Sequence, residues 1–292
     1  MKMISLEKLK KLFKKNININ QYLKRQKNLT KTDIIKISYD IQTGSYIRTY
    51  NYQKSKKVLE PMIEEINSLK FKSLLDFGCG ELTNFFTIVK NIDTKNKKFY
   101  ANDLSFSRIY HGRKFLKNKI SIKLTCFANN SIKLPLPDDS IDVVTTIHAI
   151  EPNKKDANKI LKELWRISRK KLILLEPNNR LTEKMSKSKR KIINKRFKKH
   201  NYVLNLEDKI KKITSNYRIL EIKDQFNVFN PASLFIVSKN SKKKNKLNFL
   251  NPNNNKDVLK NNSNFCFSEN TGELFPKIND IVIFNKNEIF IN

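Results

Sequence analysis

The sequence predicts an α/β protein whose parallel strands are joined by crossover helices. Two patterns predict it. Between residues 74 and 177, short apolar runs alternate with segments whose apolar residues recur at i, i+3, i+4 and i+7. Those are the periods of strands and of the helices packed on them. The run IDVVTTIHAI (141–150) is nearly unbroken in apolar character, as in a strand covered on both faces. A chain of 292 residues with 39% hydrophobic and 10% aromatic content can bury such a core. It also leaves room for a second unit beside a domain of roughly 150 residues.

Residues 1–70 read as a helical cap. Leu6, Leu9, Leu12 and Phe13 line one face of a basic amphipathic segment, and Val58, Leu59, Met62, Ile63, Ile66 and Leu69 repeat at helical spacing in another. The Tyr- and Ser-rich SYDIQTGSYIRTYNY lies between them. LLDF (74–77) is the first strand, followed by a helix marked by Leu82, Phe85, Phe86 and Val89. KFYAND (98–103) is the second strand and ends in an acid. Phe106, Ile109, Tyr110 and Leu116 mark the next helix, for which Ser105 is a suitable N-cap. ISIKLTCFA (120–128) and IDVVTTIHAI (141–150) are the third and fourth strands. A helix carrying Ile160, Leu161, Leu164 and Trp165 leads to the fifth, KLILLEP (171–177), which Pro177 stops. Residues 182–212 are lysine-rich with a helical pattern, and YRILEIKDQF and SLFIVSK (217–239) read as closing strands. SKNSKKKNKLN (238–248) is polar and aperiodic, a linker. It leads to a small unit, 249–292, with the strand-like runs DIVIF and EIFIN.

Sixty basic against 27 acidic residues give a formal charge of +33. A charge of that size attracts polyanions. The cations are mostly lysine, however, in a chain also crowded with Asn and Ile. Dedicated phosphate readers favour arginine forks and interleaved aromatics, so a nucleic-acid partner is the lesser expectation. No stretch approaches the roughly 20 apolar residues of a membrane span, and MKMISLEKLKKLFKKN lacks the apolar core of a secretory signal. Three cysteines, Cys79, Cys126 and Cys266, form no pairing pattern. A reducing cytoplasm is therefore expected. Oligomeric state is left open.

The sharpest signal is LLDFGCGELTNFF (74–86). A buried strand ends in Asp76, and a turn carrying Gly78 and Gly80 follows before a helix begins. Glycines in such a turn let backbone approach a ligand, and the helix start offers free N–H donors. Asp103 ends the next strand, where a carboxylate accepts both hydroxyls of a ribose. A dinucleotide needs a third glycine for its pyrophosphate, and Thr83 stands there. S-adenosylmethionine has no pyrophosphate; its amino-acid tail calls for a carboxylate-binding turn and an acid for its ammonium. That ligand fits the turn better.

DFGCG, ANDLS, LPLPDDSIDVV and LLEP, taken in order, resemble the successive motifs of the class I S-adenosylmethionine-dependent methyltransferases, of the type 11-like kind. The resemblance spans about residues 36–240. It implies a Rossmann-like, seven-stranded, mostly parallel sheet with helices on both faces, its last strand antiparallel, in a domain spanning 71–240. It implies that Asp76, Gly78, Cys79 and Gly80 hold the methionine part of the cofactor and that Asp103 and Leu104 hold the ribose end. Asn130 stands where relatives carry an acid that accepts from the adenine amino group, and an Asn carbonyl also accepts. Leu82 replaces a frequent glycine of the turn. Cys79 is read as a small turn filler rather than a nucleophile.

TTIHAIEPNKKDANKILKELWRISRKKLILLEPNN (145–179), SYDIQTGSY (38–46), DLSFSRI (103–109) and FNPASLFIV (229–237) resemble a narrower bacterial branch. Its members are small-molecule methyltransferases associated with surface-polysaccharide biosynthesis. The acceptor groove lies beyond the carboxyl ends of the strands. His148 and Glu151 are the candidate catalytic residues there, with Asn153, Glu176 and Asn178 nearby. His148 titrates near neutrality and is the candidate base; packing over the cofactor is its alternative role. Tyr39 and Tyr46, at i and i+7 on one helical face, are placed to close over the cofactor. The terminal unit resembles the small zinc-ribbon-like domain that accompanies many methyltransferases, in degenerate form. Asn251 and Asn254 stand at the first ligand pair and Cys266 is alone, so no metal is expected. The expected function is methyl transfer to a small-molecule or sugar-precursor acceptor. The alternatives are an RNA or protein methyltransferase and a catalytically silent interaction module.

Overall fold

The computed structural model describes residues 6–15, 17, 19–25, 29–129, 132–243 and 245–285. The N-terminal helices are α1 (Leu6–Lys14), α2 (Ile19–Leu23), α3 (Lys31–Ile41), α4 (Ser45–Thr49) and α5 (Tyr52–Asn67). Leu9, Ile19, Leu23, Ile34 and Ile41 give the first three a small core of their own. Thr30 and Asp33 form a reciprocal capping box that starts α3. Gly44, at φ +85°, separates α3 from α4. That turn breaks the single helical face on which Tyr39 and Tyr46 were expected.

Strands and helices then alternate: β1 (Ser73–Phe77), α6 (Thr83–Val89), β2 (Lys98–Asp103), α7 (Phe106–Leu116), β3 (Leu124–Ala128), β4 (Ile141–Ile147), α8 (Ala157–Ile167) and β5 (Ser168–Pro177). A 3-10 turn (Asn179–Lys184), α9 (Lys187–His200) and α10 (Leu206–Lys211) lead to β6 (Tyr217–Glu221) and β7 (Ala232–Ser238). β8 (Lys260–Asn261), β9 (Phe265–Phe267), β10 (Leu274–Ile278) and β11 (Ile281–Ile283) close the described chain. The sheet order is β6-β7-β5-β4-β1-β2-β3-β11-β10-β9-β8. β1 to β5 are mutually parallel, and β7 runs antiparallel between β5 and β6.

Side-chain alternation sorts the core into two layers. Leu74, Phe99, Val143 and Ile173 pack with α5, α6 and α7, whereas Leu75, Tyr100, Val144 and Leu172 pack with α8 and α10. Two strands are shorter than their apolar runs. Residues 120–123 lack a ladder partner because β2 meets β3 only from Phe99 and Leu124 onward. β4 stops at Ile147 because His148 adopts φ +53° and turns the chain away.

The C-terminal strands extend the same sheet, with β11 parallel to β3. Phe249, Phe275 and Phe284 gather around Phe127 of β3, with ring centroids 5.1–6.1 Å apart along the cluster. An apolar edge strand is thereby covered. The turn pair at Asn251 is held by hydrogen bonds to Thr271 and Glu273, and Asp257 accepts from Asn254, Ser268 and Asn270. The EIFIN run lies outside the described residues.

α7 crosses the loop after β1 in direct contact. A Cβ on Gly112 would stand 2.7 Å from the Glu81 carbonyl carbon and 2.9 Å from Leu82 Cγ. The backbone of that loop cannot recede without moving α6. Gly112→Ala is expected to lower stability by about 1–3 kcal/mol, as overpacking does, measured by denaturant unfolding.

Candidate active site at the strand switch point

β1 pairs with β2 on one side and β4 on the other, so the winding direction reverses between β1 and β4. At such a point the loops diverge and leave a crevice beyond the carboxyl ends of the strands. Asp76, Asp103, His148 and Glu176 all sit at those ends.

The loop after β1 has left-handed backbone at Gly78 (φ +67°), Gly80 (φ +53°) and Leu82 (φ +57°). A Cβ on Gly78 would meet Ala149 Cβ at 2.4 Å, and one on Gly80 would meet an Arg108 Nη at 2.6 Å. Gly78 therefore demands glycine, and at Gly80 the left-handed backbone favours it. Leu82 is fully buried in the core beside Gly112 of α7. Cys79 is buried and its backbone N–H donates to Asn102. Burial pushes its thiol well above the ordinary range, an inert filler of the turn.

Asp76 is buried and accepts from the Thr145 hydroxyl at 3.0 Å. Burial raises its pKa to about 7, and the neighbouring Asp103 adds to the rise. Asp103 is fixed from both sides: one oxygen accepts from Gly80 N–H at 2.9 Å, the other from Ser105 N–H at 2.9 Å. Each oxygen keeps acceptor capacity for a further donor. Leu104 is half-buried, and its carbonyl accepts from the Asn285 side chain at 2.9 Å, a contact from the C-terminal strands. Asn130 lies outside the described residues.

The cap closes over this loop through two buried carboxylates. Glu81 accepts from the Gly44 and Ile47 N–H groups, each at 2.9 Å. Asp40 of α3 accepts from the hydroxyl of Ser105, the residue that caps α7. Arg108 lies beneath the rings of Tyr39 and Tyr46, 5.2 and 4.8 Å from their centroids. Gly44 does not keep the two tyrosines apart, because both fold onto one guanidinium. Neither Glu81 nor Arg108 was predicted as a site residue. GELT and FSRI read as helix starts, and the two residues come together only across the loop.

On the acceptor side, Glu176 organises the loop after β4. Its carboxylate accepts from the Thr146 hydroxyl and from the N–H groups of Ala149, Ile150 and Glu151, at 2.8–3.2 Å. Burial raises its pKa to about 7 against the pull of His148 and these donors. The turned loop places His148 Nδ1 2.8 Å from Glu151. Asn230, before β7, donates to the same Glu151 oxygen at 2.9 Å. His148 and Glu151, expected as separate candidates, are thus one unit, and Asn230 is a partner that the sequence left unmarked within FNPAS. Asn153 closes the loop by donating to the Ala149 carbonyl, and Asn178 caps the 3-10 turn. Burial pushes the His148 pKa down, but the Glu151 carboxylate outweighs it and the net shift is upward.

That balance gives a measurable sign. With a raised pKa, His148 is protonated at lower pH and becomes a base as pH rises through its raised value. By NMR titration, His148 is expected to titrate above 6.5. Glu151→Gln is expected to lower it, because only Glu176 then opposes burial. An unchanged titration in the variant contradicts the pairing.

The profile of the ubiE/COQ5 methyltransferase family matches residues 34–204. No curated protein matches the chain. Among solved structures, one chain of the complex between the Haloferax volcanii Trm112 methyltransferase activator and its assigned methyltransferase is similar at TM-score 0.53 and 12% identity. The match covers 69% of this chain and 97% of that one. A protein of Methanococcus maripaludis assigned as an S-adenosylmethionine-dependent methyltransferase is similar at TM-score 0.50 and 16% identity, over 75% and 98% of the two chains. At these identities the likeness is one of fold.

Proposed function

The chain belongs to the ubiE/COQ5 methyltransferase family, whose methyl donor is S-adenosylmethionine, and on that premise we propose which residues serve the transfer and what they act on. The acceptor is a hydroxyl or amine of a small molecule or sugar precursor, in keeping with the narrower resemblance to surface-polysaccharide enzymes. Three buried free thiols support a reducing, cytoplasmic setting. No helix among the described residues is long and apolar enough to cross a membrane.

The residues suit the cofactor chemically. Asp103 is held with spare acceptor capacity for two ribose hydroxyls. Asp76 is a buried acid suited to an ammonium, and the left-handed Gly78 and Gly80 bring backbone to it. When bound, S-adenosylmethionine supplies a methyl group on a positively charged sulfur. The protein's part is alignment, exclusion of water and removal of the acceptor's proton. His148 takes that proton at Nε2 while Nδ1–H remains on Glu151. Asn230 holds Glu151 in place. The observation that carries this reading is Ala149 packed on Gly78: the loop bearing the base and the turn for the cofactor are in contact.

The C-terminal strands are assigned a positioning role, since they cover the edge of β3 and reach the Leu104 carbonyl. The Haloferax protein is solved with a separate activator; here such support comes from within the chain.

Calorimetry with S-adenosylhomocysteine tests the assignment. Binding is expected, and Asp103→Ala is expected to weaken it about 100-fold, the loss of two hydrogen bonds to a charged group. Below pH 7 an ammonium beside Asp76 favours its ionised form. Binding should therefore release protons, seen as a dependence of the heat on buffer, and Asp76→Asn should abolish that dependence. No heat from a folded sample would favour the silent interaction module instead.

A further inference from the structure

We propose that the acceptor carries a phosphate or diphosphate group, held beside the methyl-transfer site by Arg196 in the last turns of α9. The proposal rests on the methyl-transfer reading above and names its substrate class. α9 is unlike the rest of the surface. Eight of its fourteen residues are Lys or Arg and none is acidic. Only Ile193 and Phe197 are buried, anchoring one face. Among the described residues, none of its cations has a carboxylate oxygen within 4.0 Å. Six arginines elsewhere, Arg108, Arg113, Arg166, Arg169, Arg180 and Arg218, are each ion-paired.

The helix ends at the acceptor site. Asn201, at φ +55°, reverses the chain, and Val203 N–H donates to the Glu151 carbonyl at 2.9 Å. Tyr202 packs against Phe197 and stacks on His200, with ring centroids 5.8 and 5.3 Å away. Burial raises the Tyr202 phenol, Glu151 raises it further and Arg196 lowers it. Arg196 is half-buried, and its Nε–H lacks a hydrogen-bond partner. A donor withdrawn from water and left unmatched is costly unless a ligand completes it. A planar guanidinium fork is matched by phosphate oxygens. The outer lysines of α9 raise the local concentration of such an anion.

The probe is inorganic pyrophosphate, titrated by calorimetry into the full-length protein saturated with S-adenosylhomocysteine, in about 0.15 M salt to suppress long-range attraction. Wild-type protein is expected to bind it. Arg196→Ala should weaken binding about tenfold or more, the loss of a charge-assisted hydrogen bond, and Arg196→Lys should recover part of that. Lys189→Ala, farther along the helix, should change it less than threefold. S-adenosylhomocysteine affinity should stay the same in all three. Absence of pyrophosphate binding, or binding indifferent to Arg196→Ala, overturns the proposal. So does a single-stranded RNA that binds with its loss spread evenly over the α9 lysines and without competition from pyrophosphate. Loss of S-adenosylhomocysteine binding in the wild type overturns the methyl-transfer reading itself, which separates the two failures.

Discussion

The site depends on one buried carboxylate. Glu176 ends a central strand, is 1% exposed and gathers four donors from the neighbouring strand and its loop. Without that acceptor, three loop N–H groups would lose their partner at about 1–3 kcal/mol each. With it, the chain leaves β4 in a left-handed step at His148, an unfavourable conformation that surrounding contacts must enforce. Everything on the acceptor side follows from that step. Ala149 presses on Gly78, His148 meets Glu151, and the C-terminal end of α9 returns to the Glu151 carbonyl.

A second set of buried carboxylates ties the cap to the cofactor side. Glu81 grips α4 from the loop after β1, and Asp40 grips the start of α7 from α3. Arg108 stands between them under two tyrosines, against the position where Gly80 lacks a side chain. The cap, the glycine turn and Asp103 are thus joined by direct contacts. The acceptor loop joins them through the contact of Ala149 with Gly78.

Much of this was legible in the sequence, for definite reasons. Strands and helices showed through periodicity, and the glycine turn and terminal acid showed because their spacing is local. His148 and Glu151 were each marked by their place after the fourth strand, but their hydrogen bond to one another was not. What escaped was made by tertiary contact. Glu81, Arg108, Asn230 and Tyr202 are ordinary residues in helices and loops until distant segments bring them together. The strand ends at 120–123 and 148–150 were over-read because an apolar run cannot report where its neighbour stops or where φ changes sign. The continuation of the sheet through β11 was also hidden, since DIVIF marks a strand without naming its partner.

The central claim is that Glu176 holds the loop after β4 in its working shape. Amide hydrogen exchange at Ala149, Ile150 and Glu151, compared between wild type and Glu176→Ala, tests it most directly. Protection at all three amides in the wild type, lost at least 100-fold in the variant while β1, β2 and β5 stay protected, is the outcome this account requires. Equal exchange in the two proteins would mean that the loop keeps its shape by other means, and the contact between the His148 loop and the glycine turn would need a different cause.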